Sequence, residues 1–302
     1  MDDMDFTKPQ PAVPPPPAPA APPKAAASPF YDRAIAARIF ELSGRAERFA
    51  AGSTLFTEDQ KAASGGLFSR GSAARMYYLA QGQVTLSVGG RALDTLSAGE
   101  VVGEMAVITD QPRSATAVAR TECAAYSMSA EDLKGALARM PEFAVMLMSV
   151  IFDRLRFVTA RLAARRIPMA ARAGDLPVFD PALLQRLEAA LPRAAVTRYR
   201  SGSVIMREGQ TGAYMYVVKE GNVAIAVREQ VVAGVGPGGT FGEMALVDQS
   251  PRSATAVAQT ECELLSIDRA ALMAAIKAQP AFAVAMLRAH AERLRHMNGQ
   301  VG

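Results

Sequence analysis

The stretch that decides the fold is GEMAVITDQPRSATAVARTEC, Gly103–Cys123, which the chain spells again 139 positions later as GEMALVDQSPRSATAVAQTEC, Gly242–Cys262. Fifteen of the 21 paired positions are identical, and the matches fall on Gly, Glu, Pro, Arg and Ser. A buried strand or helix tolerates many apolar spellings of the right volume. Identity concentrated on turn-forming and polar residues therefore points to a site rather than to packing.

The repeat extends outward from this stretch. MYYLAQGQVTLSV (76–88) answers MYVVKEGNVAIAV (215–227) at the same offset, with Gly82 on Gly221, and each reads as two strands around a Gly-centred turn. Further upstream RFAAGSTLFTEDQ (48–60) matches RYRSGSVIMREGQ (198–210) at an offset of 150, so the first copy carries an insertion of about 11 residues within KAASGGLFSRGSAAR (61–75). Its Gly, Ser and Ala content predicts a surface loop. Downstream, SAEDLKGALARM (129–140) begins with an N-cap signature at Ser129, and SIDRAALMAAIKAQ (266–279) is read the same way with Ser266 as the cap. Pro141 and Pro280 each open a second, longer helix. A leading helix, Tyr31 to Leu42, precedes the first copy, and ALLQRLEAAL (182–191) precedes the second.

Each unit thus reads as a helix, many short strands, then helices. The predicted fold is mainly β with flanking α: two tandem antiparallel β-jelly-roll (double-stranded β-helix) domains. The predicted boundaries are a tail at 1–29, a first domain at 30–166, a linker at 167–181 carrying Pro168, Pro177 and Pro181, and a second domain at 182–302. Ten of the first 29 residues are Pro, a composition that cannot build a core and predicts an extended, disordered arm.

A chain of 302 residues suffices for two ordinary domains. No stretch reads as a membrane span, since the apolar run from Phe143 to Phe152 is soon followed by Asp153 and Arg154, and the start lacks a secretory pattern; a cytoplasmic protein is expected. Cys123 and Cys262 occupy equivalent places in separate copies and are read as small core residues, not a disulfide. The formal charge of +4 is mild and its Arg residues are dispersed, so solvated helix faces are favoured over a nucleic-acid surface. His290 and His296 have no partners at metal spacing; both are read as helix-surface residues, and no metal is expected.

Within the repeated stretch, an acid precedes Pro-Arg-Ser-Ala-Thr by eight residues on a short connection between two strands. Arg offers several planar donors to a phosphate, and Ser adds a hydroxyl beside it. The Glu would repel that phosphate and needs another partner, such as a donating sugar hydroxyl. Gly admits close backbone approach, and GEMA can turn its N–H groups toward an anion. An exposed Glu–Arg ion pair, worth about 0–1 kcal/mol, is the plain alternative, but it does not explain why these residues persist in both copies while their flanks have drifted.

Two copies of GEMA followed by PRSATAVA resemble the phosphate-binding cassette of the cyclic-nucleotide-binding domain family, which includes the catabolite activator protein sensor domain, protein kinase A regulatory subunits and bacterial cyclic-nucleotide-gated channels. The resemblance covers about 45–165 and 185–298. It implies that Arg113 and Arg252 hold the cyclic phosphate with Ser114 and Ser253 beside them. It also implies that Glu104 and Glu243 accept from the ribose 2′-hydroxyl, and that the backbone of Gly103, Met105 and Ala106, and of Gly242, Met244 and Ala245, completes each cradle. In the channel domains an Arg at the place of Arg154 and Arg293 packs over the base; an exposed Arg paired with a neighbouring acid is the equal alternative. Val102 stands where the family usually has Phe, whereas Phe241 keeps it, which predicts two sites of unequal affinity.

The expected function is that of a non-enzymatic receptor, with cAMP favoured over cGMP as regulatory ligand. An unidentified protein effector would read a ligand-induced helix rearrangement, and a homo-oligomer through the C-terminal helices is compatible with their apolar faces. Only about five residues follow Met297, where a DNA-reading helix-turn-helix would be sought, so no direct DNA binding is expected. A kinase-regulatory-subunit-like inhibitor would need an Arg-Arg-x-Ser/Ala segment before the first domain, and the adjacent pair Arg165-Arg166 lies between the domains. The other rival is a scaffold with degenerate nucleotide pockets, against which both intact Glu–Arg sets argue.

Overall fold

The computed structural model describes residues 31–60, 74–164, 177–191 and 195–299. The Pro-rich arm, most of the inserted loop and most of the proposed linker lie outside these residues.

The first copy runs α1 (Arg33–Ser43), β1 (Arg45–Phe49), β2 (Thr54–Phe56), β3 (Met76–Gln81), β4 (Gln83–Val88), β5 (Arg91–Ser97), β6 (Val101–Val102), α2 (Glu104–Thr109), β7 (Thr116–Ala119), β8 (Cys123–Met128), α3 (Ala130–Arg139) and α4 (Pro141–Ala164). The second repeats the order as α5 (Pro181–Ala190), β9 (Val196–Tyr199), β10 (Val204–Met206), β11 (Tyr214–Glu220), β12 (Val223–Val227), β13 (Gln230–Val235), β14 (Thr240–Phe241), α6 (Glu243–Asp248), β15 (Thr255–Ala258), β16 (Cys262–Asp268), α7 (Arg269–Ala278) and α8 (Ala281–Gly299).

Each copy folds into two four-stranded antiparallel sheets. They are ordered β1-β8-β3-β6 and β2-β7-β4-β5 in the first, β9-β16-β11-β14 and β10-β15-β12-β13 in the second. Alternation decides which side chains go in: Ala117 and Ala119 of β7 are buried while Thr116 and Val118 are half-buried, as a period of two requires. Gly82 and Gly221 turn β3 into β4 and β11 into β12 at φ 91° and 87°, and a side chain there would strike backbone at Glu122 or Glu261. Cys123 and Cys262 are buried free thiols inside the two barrels.

A third core joins the copies. The paired C-terminal helices α4 and α8 pack on each other, α8 also rests on α2, and α4 on α6. Phe152, Leu155, Met286, Leu287, Ala291 and Leu294 all lie within this one apolar cluster. The second face of α4 is therefore covered by the other copy of the same chain. Among the described residues no single helix is long and apolar enough to cross a membrane.

Local details depart from the sequence reading at four places. Helix α7 is capped by Asp268, whose side chain accepts from the Ala271 N–H at 2.7 Å, while Ser266 lies in β16 and pairs with Thr197 at 3.0 Å; the strand simply runs two residues further than expected. Ser129 does form the full capping box with Asp132. Pro181 is the first residue of α5, held behind the N-cap Asp180, not part of a linker. Helix α8 starts at Ala281, one residue past Pro280, and α1 starts at Arg33 with Tyr31 buried ahead of its cap Asp32. Asp268→Ala is expected to cost about 1 kcal/mol of stability and Asp268→Asn much less; the shift in urea midpoint at constant slope checks both.

Candidate functional site

The repeated stretch starts at a glycine in a conformation few other residues adopt. Gly103 and Gly242 lie at φ 80° and 78°, where an L side chain costs roughly 1–2 kcal/mol. The left-handed step ends β6 or β14 and turns the chain directly into α2 or α6, so the sequence reading of a bare turn between strands is replaced by a short helix. The N–H groups of Glu104, Met105 and Ala106, and of Glu243, Met244 and Ala245, belong to that first turn and have no intrahelical acceptor.

The same glycines fix the arginines. Arg113 donates through Nη1 to the Gly103 carbonyl at 2.9 Å and through Nη2 to the Arg75 carbonyl at 2.7 Å. Arg252 repeats this with Gly242 at 2.7 Å and Tyr214 at 2.6 Å. A Cβ on Gly103 or Gly242 would lie 2.7 or 2.6 Å from the corresponding Nη1. The Arg113 guanidinium carbon is also 4.1 Å from the centre of the Phe56 ring. Both arginines are buried, and desolvation pulls their pKa below the ordinary value against the opposing pull of Tyr77 and Glu104, or Tyr216 and Glu243. A guanidinium has five N–H donors, so each fork is oriented by two and keeps three. Ser114 and Ser253 are exposed beside it, with Ser253 Oγ 3.7 Å from the Met244 sulfur.

Each acid is buried beside its arginine but meets different company. Glu104 accepts from Nη1 of Arg154, the α4 arginine fifty residues along the chain. Arg154 thus pairs with the acid of the repeated stretch and not with a helix neighbour; it is Arg156 that pairs with Asp153, at 2.9 Å. A carboxylate has about four lone-pair positions, so Glu104 retains acceptor capacity. Glu243 faces His290 of α8, Oε1 to Nε2 3.7 Å, and its Oε2 is buried without a partner among the described residues, as is Nε of Arg293.

His290 is the residue that the sequence reading misplaced. It is 4 % exposed, not on the helix surface, because α4 covers that face of α8 and Phe152 meets the imidazole edge-to-face at 4.8 Å. Desolvation holds its pKa below the ordinary value, Arg293 pushes the same way, and Glu243 opposes them. The available signal was the repeat itself, since the 139 offset sets His290 on Ile151. Tyr31 was also missed; with Ile151 it lines a small cavity against Glu104 and Arg154.

The long helices cross between copies. Arg156 donates to Ser250 Oγ at 2.9 Å, two residues before Arg252. Arg295 donates to the Pro112 carbonyl, one residue before Arg113, and Arg288 to the Ile108 carbonyl at 3.3 Å. At the second copy, Phe241, Glu243, Arg252, Ser253, His290 and Arg293 line a cavity of about 1920 Å³. It exceeds the ~300–1,000 Å³ of an ordinary small-molecule site because it runs on to Glu131 and Lys134 of α3. Among the described residues no group of His, Cys, Asp and Glu is arranged to hold a metal ion.

This arrangement, a fixed guanidinium fork, free first-turn N–H groups and a buried acid, agrees with the comparisons with known proteins. Residues 63–140 and 196–279, more than half of the chain, match the family described as cyclic nucleotide-binding domain. Curated relatives include a cAMP-dependent protein kinase regulatory subunit of Eremothecium gossypii, 46% identical over 68 residues, covering 22% of this chain and 15% of the relative. A CRP-like cAMP-activated global transcriptional regulator of Mycobacterium tuberculosis is 32% identical over 136 residues, 43% of this chain and 59% of the relative. A cyclic nucleotide-gated potassium channel of Mesorhizobium japonicum is 37% identical over 121 residues, 39% and 33% of the two. The chain therefore spans less than two thirds of each. Among solved structures, one described as cAMP bound PfPKA-R (141-441) is 20% identical, covering 85% of this chain and 82% of that one with a TM-score of 0.32.

Gly242→Ala is expected to destabilise the protein by about 1–3 kcal/mol more than Gly202→Ala. Gly202 has the same left-handed φ of 81° but open space around its Cβ position. Denaturant midpoints of the two variants separate the backbone cost from displacement of Arg252.

Proposed function

The chain belongs to the cyclic nucleotide-binding domain family, and from that premise we propose that it is a receptor with two cyclic-nucleotide sites that performs no chemistry and passes occupancy to a protein effector. The observation that carries this reading is the convergence in each copy of an oriented Arg fork and a buried Glu at the start of a glycine-opened helix. Arg113 and Arg252 would take the cyclic phosphate with their unspent donors, joined by Ser114 and Ser253. The first-turn N–H groups would add donors, and Glu104 and Glu243 would accept from the ribose. Arg154 of α4, which reaches Glu104, and Arg293 of α8, which lines the second cavity, would close over the sugar and base with their helices acting as lids.

cAMP is the favoured ligand over cGMP: Ser follows the Arg in both copies, and two of the relatives above carry cAMP in their descriptions. An effector would read the position of α4 and α8. Because each of these helices touches both cassettes, ligand at one site moves a helix hydrogen-bonded beside the phosphate arginine of the other, and the two affinities must be linked reciprocally. A first domain at 30–166 and a second that runs to 302, its start moved from 182 to the α5 N-cap Asp180, are proposed with this function.

Calorimetric titration with cAMP and cGMP tests the receptor reading. The intact protein is expected to bind two equivalents, Arg113→Ala and Arg252→Ala one each; absence of binding by the intact protein leaves a scaffold. The double variant Arg156→Ala/Arg295→Ala is expected to keep both sites while each loses its dependence on the occupancy of the other. Persisting coupling in that variant would refute the crossed-helix route.

A further inference from the structure

The second site contains two buried polar atoms with no hydrogen-bond partner among the described residues, Nε2 of His290 and Oε2 of Glu243, on side chains that approach each other through Nε2 and Oε1. Buried donors and acceptors are satisfied in the great majority of cases, and each orphan is costly. Both line the cavity that also holds Arg252 and Ser253. The 3.7 Å between Nε2 and Glu243 Oε1 is too long for a direct hydrogen bond, yet one oxygen at the usual ~2.7–3.0 Å can touch both. The occupant must give a proton to the carboxylate and take one from the imidazole. A phosphate diester oxygen cannot donate to Glu243, and a water that does both would be displaced by the ribose hydroxyl that Glu243 takes on the receptor reading. An alcohol hydroxyl does both with a single atom.

Resting on the receptor reading, we infer that His290 is a further ligand-binding residue, specific to the second site, whose Nε2–H donates to the same ribose 2′-hydroxyl that donates to Glu243. The neighbouring carboxylate favours the tautomer with its proton on Nε2, and burial beside Arg293 keeps the ring neutral. Phe152 fixes the ring from the first copy's helix, so the donor is oriented before ligand arrives. The first site has no counterpart on its long helix, where Ile151 stands at the equivalent position and Arg154 engages Glu104; the Tyr31 hydroxyl, unpartnered among the described residues, approaches that acid from the segment before α1 instead. The second site therefore demands a 2′-hydroxyl more strictly than the first.

The test uses the full chain in two single-site forms, Arg113→Ala to read the second site and Arg252→Ala to read the first, each titrated with cAMP and with 2′-deoxy-cAMP. The loss of affinity on removing the hydroxyl is expected to be about tenfold greater at the second site, the equivalent of one additional hydrogen bond. Adding His290→Ile to the Arg113→Ala chain should weaken cAMP about tenfold, leave 2′-deoxy-cAMP nearly unchanged, and bring the discrimination down to that of the first site. His290→Gln, which keeps a donor, should retain most of the discrimination and guards against a loss that reflects packing alone. Equal discrimination at the two sites, or discrimination indifferent to His290→Ile, overturns this inference and leaves the receptor standing. Failure of the intact protein to bind any cyclic nucleotide overturns both.

Discussion

The pair of hydrogen bonds from each cassette arginine to a glycine carbonyl and to the strand beside it is the constraint on which the rest of the molecule depends. Arg113 ties α2 to the backbone just before β3, and Arg252 ties α6 to the first residue of β11. Neither bond pair forms unless the helix opens on a residue that is both left-handed and without a Cβ. A buried guanidinium is expensive to desolvate, and carbonyl acceptors on two sides with an aromatic ring nearby offset that cost. The result is a cation whose remaining donors are oriented before any ligand arrives, which is where preorganised electrostatics gains most over a flexible surface arginine.

Around that fixed point the two copies are arranged reciprocally. Each long helix has one face on its own domain and another on its counterpart, and each sends an arginine to within two residues of the other copy's cassette arginine. These contacts sit on a shared apolar cluster. Packed cores resist continuous deformation, and on the proposed receptor reading a displacement of α4 or α8 would be passed on between the copies. Covalent linkage of the copies makes this an intramolecular contact, independent of protein concentration.

The repeat, the barrel strands, the Gly-centred strand turns and the Ser129 capping box were all legible in the sequence, because each is written in residues close together: a two-residue alternation, a Gly at a forced turn, a Ser three residues before an Asp. The Asp268 cap was misread because Ser266 and Asp268 both satisfy the local pattern and only strand length separates them. The pairing of α4 with α8 was not legible at all. An apolar face says that something covers it, not what does, and so His290 read as a surface residue when Phe152 of the other copy buries it. The destination of Arg154 was invisible for the same reason: its acid lies fifty residues away and no spacing rule joins them.

The differences between the copies carry as much information as the identities. Phe241 stacks on Tyr216 at 5.1 Å where Val102 leaves Tyr77 to Phe56 and Phe49. Ile151 gives way to His290, and Tyr31, ahead of the first N-cap, to Phe179 ahead of the second. Each copy thus places one uncharged polar side chain near its acid, but on opposite elements: Tyr31 on the segment entering α1, His290 on the lid helix α8. If α8 moves as proposed, a group on the entering segment stays with its barrel, whereas one on α8 arrives or departs with that helix. On the proposed receptor reading, binding energy drawn from His290 is available only with α8 closed over the site, and an interaction with one of two states is what shifts their balance. On the proposed receptor reading the second site is the better placed to drive the helices, and the first, its acid already joined to Arg154, to respond to them.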